Sequence, residues 1–189
     1  VVNTKNANTF TGQQGLDSLD EIAKNVSKTL TIRESKSEEG IDETVKIKDI
    51  LFASTGVIGE KFPVDQINNR IDDLVSKLRD DQNKLIWIKT ASAIMTTDTK
   101  PKLAYEEFTF NNKIIRIAAV AKGSGMIAPN LGTMLSFIFT DADISSNLLK
   151  VLLKKAVMNT FNAITVDSDQ STNDMVSIFS TRKVQIGQS

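Results

Sequence analysis

A glycine-rich turn runs straight into a threonine that opens an apolar run: Lys122-Gly123-Ser124-Gly125-Met126-Ile127-Ala128-Pro129-Asn130-Leu131-Gly132-Thr133-Met134-Leu135. The chain contains no histidine and no cysteine. A Ser-His-Asp triad, a Cys-His pair or a histidine-ligated zinc site therefore cannot be assembled from it. A threonine at a chain start needs none of these partners. Its own α-amine, with an ordinary pKa of roughly 7.7–8.0, serves as the base for its hydroxyl. Such an amine exists only once the preceding bond is cut. The pattern thus predicts self-cleavage between Gly132 and Thr133, with Thr133 as the catalytic nucleophile.

Other junctions carry weaker signals. Ser54-Thr55-Gly56 follows a short apolar run, where a hydroxyl and a backbone N–H can converge on a developing oxyanion. Removing one such donor typically costs about 2.7–4 kcal/mol of transition-state stabilisation. Taken alone, the segment is more simply a turn glycine. Thr96-Thr97-Asp98-Thr99 is by itself a helix exit. Lys122-Gly123-Ser124-Gly125 is not a Walker loop, because glycine follows the lysine instead of preceding it. Asp167-Ser168-Asp169-Gln170-Ser171-Thr172 spaces oxygens like a calcium loop, yet Thr172 replaces the turn glycine and Ile178 the bidentate glutamate. No metal site and no cofactor are expected. Asn25-Val26-Ser27 is a glycosylation sequon on an expected helix and is taken as a chance match.

The elements that position these residues follow from periodicity. Leu16, Leu19, Ile22, Ala23, Val26 and Leu30 recur at helical spacing, so residues 15–30 form a helix with one buried face. The charged stretch 33–49, with Gly40, is a surface excursion. Residues 50–53 make a short strand. Val64, Ile67, Ile71, Leu74, Val75 and Leu78 mark a helix with Pro63 in its first turn, and residues 84–95 a third. Strands at 105–110 and 113–120 flank Asn111-Asn112, which tolerates the positive φ of a tight hairpin. Residues 134–140 form a strand apolar on both faces. Leu148, Leu149, Leu152, Leu153, Ala156 and Val157 define a helix capped by Ser145 or Ser146. Residues 164–166 and 175–180 are the last strands. The expected class is α+β, a layered sandwich in which helices cover β-sheets.

Composition sets the outer bounds. At 189 residues with 40% hydrophobic side chains, the chain buries one core of ordinary size, so one domain over 1–189 is the default. Its 23 basic and 23 acidic residues balance, which does not indicate nucleic acid or an anionic membrane surface as a partner. No apolar run approaches the roughly 20 residues of a membrane span. The opening Val1-Val2-Asn3 lacks an initiator methionine and reads as part of something longer.

The order of several blocks carries a resemblance. They are Asn6-Ala7-Asn8 with Thr11-Gly12, Ser54-Thr55-Gly56-Val57-Ile58-Gly59, and Ala93-Ile94-Met95-Thr96-Thr97-Asp98-Thr99 with Pro101-Lys102. They continue with Lys122 to Asn130, Thr133-Met134-Leu135, Thr140-Asp141-Ala142, Phe161-Asn162, Val166-Asp167 and Ser171-Thr172-Asn173-Asp174. From Asn3 to Asp174 the chain resembles the ornithine acetyltransferase family, also called glutamate N-acetyltransferase, of arginine biosynthesis. The resemblance implies a layered α/β fold and acetyl transfer from N-acetylornithine to glutamate through an acetyl ester on the threonine. In some members acetyl-CoA also serves as donor.

It further implies cleavage into an α chain, here 1–132, and a β chain beginning at 133, two of each forming a heterotetramer. By the same resemblance, Thr133 matches the nucleophile and Gly132-Thr133 the scissile bond. Thr55 and Gly56 match the oxyanion-hole pair, and Thr99, Lys122 and Thr133 match substrate-binding positions. The chain departs from the family at Gly132, where alanine is usual, at Lys5, where glycine is usual, and at Phe10, where a smaller residue is common. Ser168 and Gln170 break an acidic-glycine block. These changes bear on local turn geometry and leave the matched reactive positions intact. The family also extends on both sides of this chain, which would leave its pocket incomplete. The competing readings are a self-processed N-terminal-nucleophile aminopeptidase or amidohydrolase, and a truncated domain without catalysis. The cytoplasm is the default location, or the mitochondrial matrix in a eukaryote.

Overall fold

A computed structural model describes residues 1–35, 44–78, 83–125, 134–166 and 173–187 of the chain. Gly132 and Thr133 lie outside the described residues, as do the segment 167–172 and residues 36–43 of the charged excursion. Where length alone made one domain the default, packing separates two compact units, Val1–Gln82 and Asn83–Ser189. This division follows contacts and not the expected scissile bond, so it does not coincide with 1–132 and 133–189. Among the described residues there are four α-helices and two β-sheets.

In the first unit, strand β1 (Val2–Asn6) pairs in parallel with β2 (Ala53–Val57), in the register Val2↔Ala53 to Asn6↔Val57. Helix α1 (Gly12–Ser35) packs against α2 (Val64–Ser76). Ile22, Val26, Phe62, Ile71 and Val75 form the core, with Leu19, Leu30 and Phe52 packed around it. Burying a side chain of this size stabilises by about 1.5–3 kcal/mol relative to exposure. Periodicity located this stripe but drew it too wide, for Leu16, Leu74 and Leu78 are exposed. Gly15 and Ser18 take the buried positions on the first turns of α1 instead. Pro63 stands at the N-cap of α2, one position before the first helical residue.

The second unit holds a four-stranded sheet ordered β3-β4-β5-β6, from β3 (Lys102–Phe110), β4 (Lys113–Lys122), β5 (Leu135–Ala142) and β6 (Met175–Val184). The first three are antiparallel neighbours, and β6 joins β5 in parallel. Asn111 and Asn112 have φ of 48° and 59°, the conformation a two-residue hairpin requires between Phe110 and Lys113. Helix α3 (Lys84–Ala93), capped by the Asn83 side chain on the Ile86 N–H, packs on the sheet through Ala91, Ile94, Val120, Trp87 and Phe137. Trp87 meets Phe139 edge-on at 5.7 Å, and Phe139 stacks on Phe179 at 5.3 Å.

Helix α4 (Ser146–Met158) forms the crossover from β5 to β6, its N-terminus capped by the Ser145 hydroxyl accepting from the Leu148 N–H. A strand at 164–166 is not formed. Those three residues follow a short 3₁₀ turn, Phe161–Ala163, and Ile164 and Val166 are exposed. A run so short holds strand geometry only where a neighbour completes its ladder. The mixture of helices and sheets is the α+β class expected.

Candidate functional site

In the first unit, Thr55 lies on β2 opposite Thr4, its side chain completely buried. Gly56 follows with φ of +136°. A Cβ there would stand 2.1 Å from the Lys5 carbonyl carbon and 2.5 Å from the Asn6 nitrogen, so only glycine lets β1 approach. The approach is held by a knot between two family blocks. The Asn8 N–H donates to Ser54 Oγ at 2.9 Å, Asn8 Nδ2 to the Gly15 carbonyl at 3.1 Å, and Thr11 Oγ1 to Asn8 Oδ1 at 2.8 Å. Lys5 and Phe10, two of the departures from the family, have φ of 76° and 59°. Glycine, which has no Cβ, is the type a left-handed backbone accommodates best.

In the second unit, the end of α3 runs into the loop 95–101, and β4 ends at Lys122. Asp98 joins the two. Its carboxylate is completely shielded from solvent and accepts the Gly123 N–H at 2.7 Å, the Thr96 N–H at 3.4 Å and the Lys102 ammonium. Lys122, also buried, donates from Nζ to Thr96 Oγ1 at 3.1 Å. The hydroxyls of Thr97 and Ser124 lie 2.8 Å apart. Thr99 sits exposed in the same loop. At the start of β5 and β6, Asp174 Oδ1 accepts the Met134 N–H at 2.6 Å, and Oδ2 is buried without a hydrogen-bond partner among the described residues.

The electrostatics follow from this crowding. Burial pushes the Asp98 carboxyl up, but Lys102 and the Gly123 and Thr96 N–H groups outweigh it and hold the carboxyl below its ordinary value. Burial also pushes the Lys122 ammonium down. Asp98 and Asp174 oppose that fall, and Lys102 adds to it. Asp174 is raised by burial to about 6, against the lowering effect of the Met134 N–H and Lys122. Lys122 and Asp174 line a cavity of about 490 Å³ with Lys102, Lys150, Leu153 and Val157 among its walls. Lys122, with Lys102, Lys150 and Lys154 lining the same mainly apolar cavity, supplies the positive charge that suits the carboxylate of a small amphipathic molecule.

Of the residues expected from sequence, Lys122 is tied through Thr96 to the loop in which Thr99 stands exposed. Thr55 and Gly56 belong to the first unit, and Gly132 and Thr133 lie outside the described residues. Sequence reasoning missed Asp98 and Asp174 as site residues. Both stand inside matched blocks, and in a chain without histidine a carboxylate raised by burial, as Asp174 is, moves toward neutrality.

Comparison with known proteins gives the family and the fold. Residues 1–189 match the model of the ArgJ family. The chain is 42% identical over 185 residues to the arginine biosynthesis bifunctional protein ArgJ of Bartonella quintana, covering 98% of this chain and 41% of that protein. It is 45% identical over 183 residues to the glutamate N-acetyltransferase of Methanothermobacter thermautotrophicus, covering 96% and 42%. The crystal structure of the arginine biosynthesis bifunctional protein of Bacillus halodurans superposes with a TM-score of 0.55 at 32% identity, over 68% of this chain and 59% of that one. The chain therefore spans about two fifths of the length of the curated relatives it matches.

Proposed function

Because this chain belongs to the ArgJ family, we propose that the protein carrying it is an acetyltransferase of arginine biosynthesis, moving acetyl from N-acetylornithine to glutamate. The observation that carries this reading is the buried Lys122 ammonium, braced by Asp98 and Asp174 at the wall of the 490 Å³ cavity. Both the donor and the acceptor of such a transfer bear an α-carboxylate, and a compact cation is the side chain that meets one. Thr99, in the loop tied to Lys122, supplies a hydroxyl to the same substrate.

Maturation and turnover use one hydroxyl. Thr133 Oγ attacks the Gly132 carbonyl carbon, and the C–N bond breaks as the amine takes the proton. Water then hydrolyses the resulting ester and leaves Thr133 with a free α-amine. In turnover that amine takes the hydroxyl proton, Oγ attacks the acetyl carbon, and ornithine departs with the proton. The glutamate amine attacks the acetyl ester and restores the hydroxyl. Thr55 Oγ1 and the Gly56 N–H stabilise the tetrahedral oxyanions of this ping-pong sequence. Acetyl-CoA serves as an alternative donor, and the cleaved chains assemble as an α2β2 heterotetramer in the cytoplasm.

The test is transfer from N-acetylornithine to isotopically labelled glutamate by the full-length protein and its Lys122→Ala variant. A hydrogen bond to a charged group is worth about 1.5–3 kcal/mol, so the variant's KM should rise about 10- to 100-fold. An unchanged KM for both amino acids would remove Lys122 from substrate binding. Release of free acetate without N-acetylglutamate would replace transfer by hydrolysis.

A further inference from the structure

Lys122 is held at two points, and both lead to one carboxylate. Its backbone is held because the next residue, Gly123, donates its N–H to Asp98 Oδ1 at 2.7 Å. Its ammonium is held because Thr96 Oγ1, its acceptor at 3.1 Å, belongs to a residue whose own N–H donates to Asp98 Oδ2. Lys102, from β3, neutralises the same carboxylate. We propose that Asp98 is a positioning residue for acetyl transfer: it clasps the loop after α3 to the end of β4 and so fixes where the Lys122 ammonium meets the substrate carboxylate. The proposal rests on the reading of Lys122 as the carboxylate anchor.

A neutral residue cannot replace the clasp. The Gly123 N–H would be left to a weaker acceptor, and Lys122 would lose one of the two negative charges that favour its protonated form. The charged groups facing Lys122 are Asp98 from the loop after α3, Asp174 from the start of β6 and Lys102 from β3. Lys150 and Lys154 of α4 line the same cavity. Lys122 anchors a carboxylate only while charged, and its charge is lost as pH rises. Neutralising Asp98 therefore brings that loss to lower pH, whereas neutralising Lys102 moves it to higher pH.

The experiment measures kcat and KM for N-acetylornithine across pH, and glutamate affinity by calorimetry, in the full-length enzyme and its Asp98→Asn, Lys102→Gln and Lys122→Met variants. The expected result for Asp98→Asn is a KM raised about tenfold with a smaller change in kcat. The alkaline limb of kcat/KM moves to lower pH in that variant and to higher pH in Lys102→Gln. A role confined to holding the fold would lower the melting temperature of Asp98→Asn while leaving KM and the limb in place, and that result overturns the proposal. Should Asp98→Asn fail to fold, Lys102→Gln decides, and an unmoved limb overturns it. Wild-type glutamate affinity in Lys122→Met removes the anchor reading and the clasp together. Lost affinity there beside an unaffected Asp98→Asn removes the clasp alone.

Discussion

Gly56 and Gly123 share a φ of +136°, yet they differ in what surrounds them. At Gly56 the constraint is steric, because the β1 backbone occupies the space a side chain would need. At Gly123 a carboxylate sealed from solvent takes the N–H and ties β4 to the loop after α3. The first junction contains no titratable group on its strand, since β2 reads Ala53-Ser54-Thr55-Gly56-Val57. The second gathers Asp98, Lys102, Lys122 and Asp174. A donor meant for an uncharged carbonyl that becomes an oxyanion needs fixed geometry, and a carboxylate anchor needs charge. The two junctions therefore should respond to different perturbations.

The largest effect is expected at the steric junction. Gly56→Ala sets a Cβ against main-chain atoms that cannot swing aside and should destabilise the full-length protein by about 3 kcal/mol or more. Urea unfolding at pH 7 and pH 5 should show the same loss at both. A loss that depended on pH would erase the distinction between the junctions.

Next comes Asp98→Ala. It strands the Gly123 N–H and removes the partner of Lys102, at a cost of about 2–3 kcal/mol in the same assay. A folded-state carboxyl below its ordinary value contributes stability above the unfolded pKa that disappears as pH falls through the folded one. The difference between wild type and Asp98→Ala should shrink towards acid. Near-wild-type stability at pH 7 would show that the clasp is not formed.

Asp174 should act in the opposite sense. Its carboxyl is raised from 3.8 to about 6 in the folded protein, so the folded state binds more protons and stability declines as pH rises between those values. Allowing for solvent screening, Asp174→Asn should gain about 1 kcal/mol at pH 7 and nothing at pH 4. Equal effects at the two pH values would assign Asp174 to the Met134 N–H contact alone.

The smallest effect is expected at Lys5, beside Gly56. With φ of 76°, Lys5→Gly relieves left-handed strain, partly offset by the freedom glycine adds to the unfolded chain. The net gain should be about 0.5 kcal/mol, seen as a small rise in melting temperature that Lys5→Ala does not reproduce.

The local features of this fold were legible before the structure. The Asn111-Asn112 hairpin, the α1 stripe through Ile22 and Val26, and a serine cap on α4, left open between Ser145 and Ser146 and taken by Ser145, each depend on residues a few positions apart. Long-range partnerships were not legible. Leu16 and Leu74 fit the helical period but are exposed, since periodicity marks a face and not what covers it. β1 pairs with a strand some fifty residues on, and neither carries an alternating pattern that would announce it. Asp98 and Asp174 were passed over for the same reason. Their decisive partners, Gly123 and Met134, stand 25 and 40 positions away. Lys122 and Thr99 were singled out through family blocks, and the tie of Lys122 to the loop after α3 emerged only from the fold.

The central claim, that Thr133 becomes a nucleophile at a new chain start, is tested most directly by the intact mass of the denatured full-length protein beside its Thr133→Ala variant. The account predicts two fragments from the parent, meeting between Gly132 and Thr133, and one uncut chain from the variant. A single uncut parent chain, or cleavage that persists in Thr133→Ala, would contradict it.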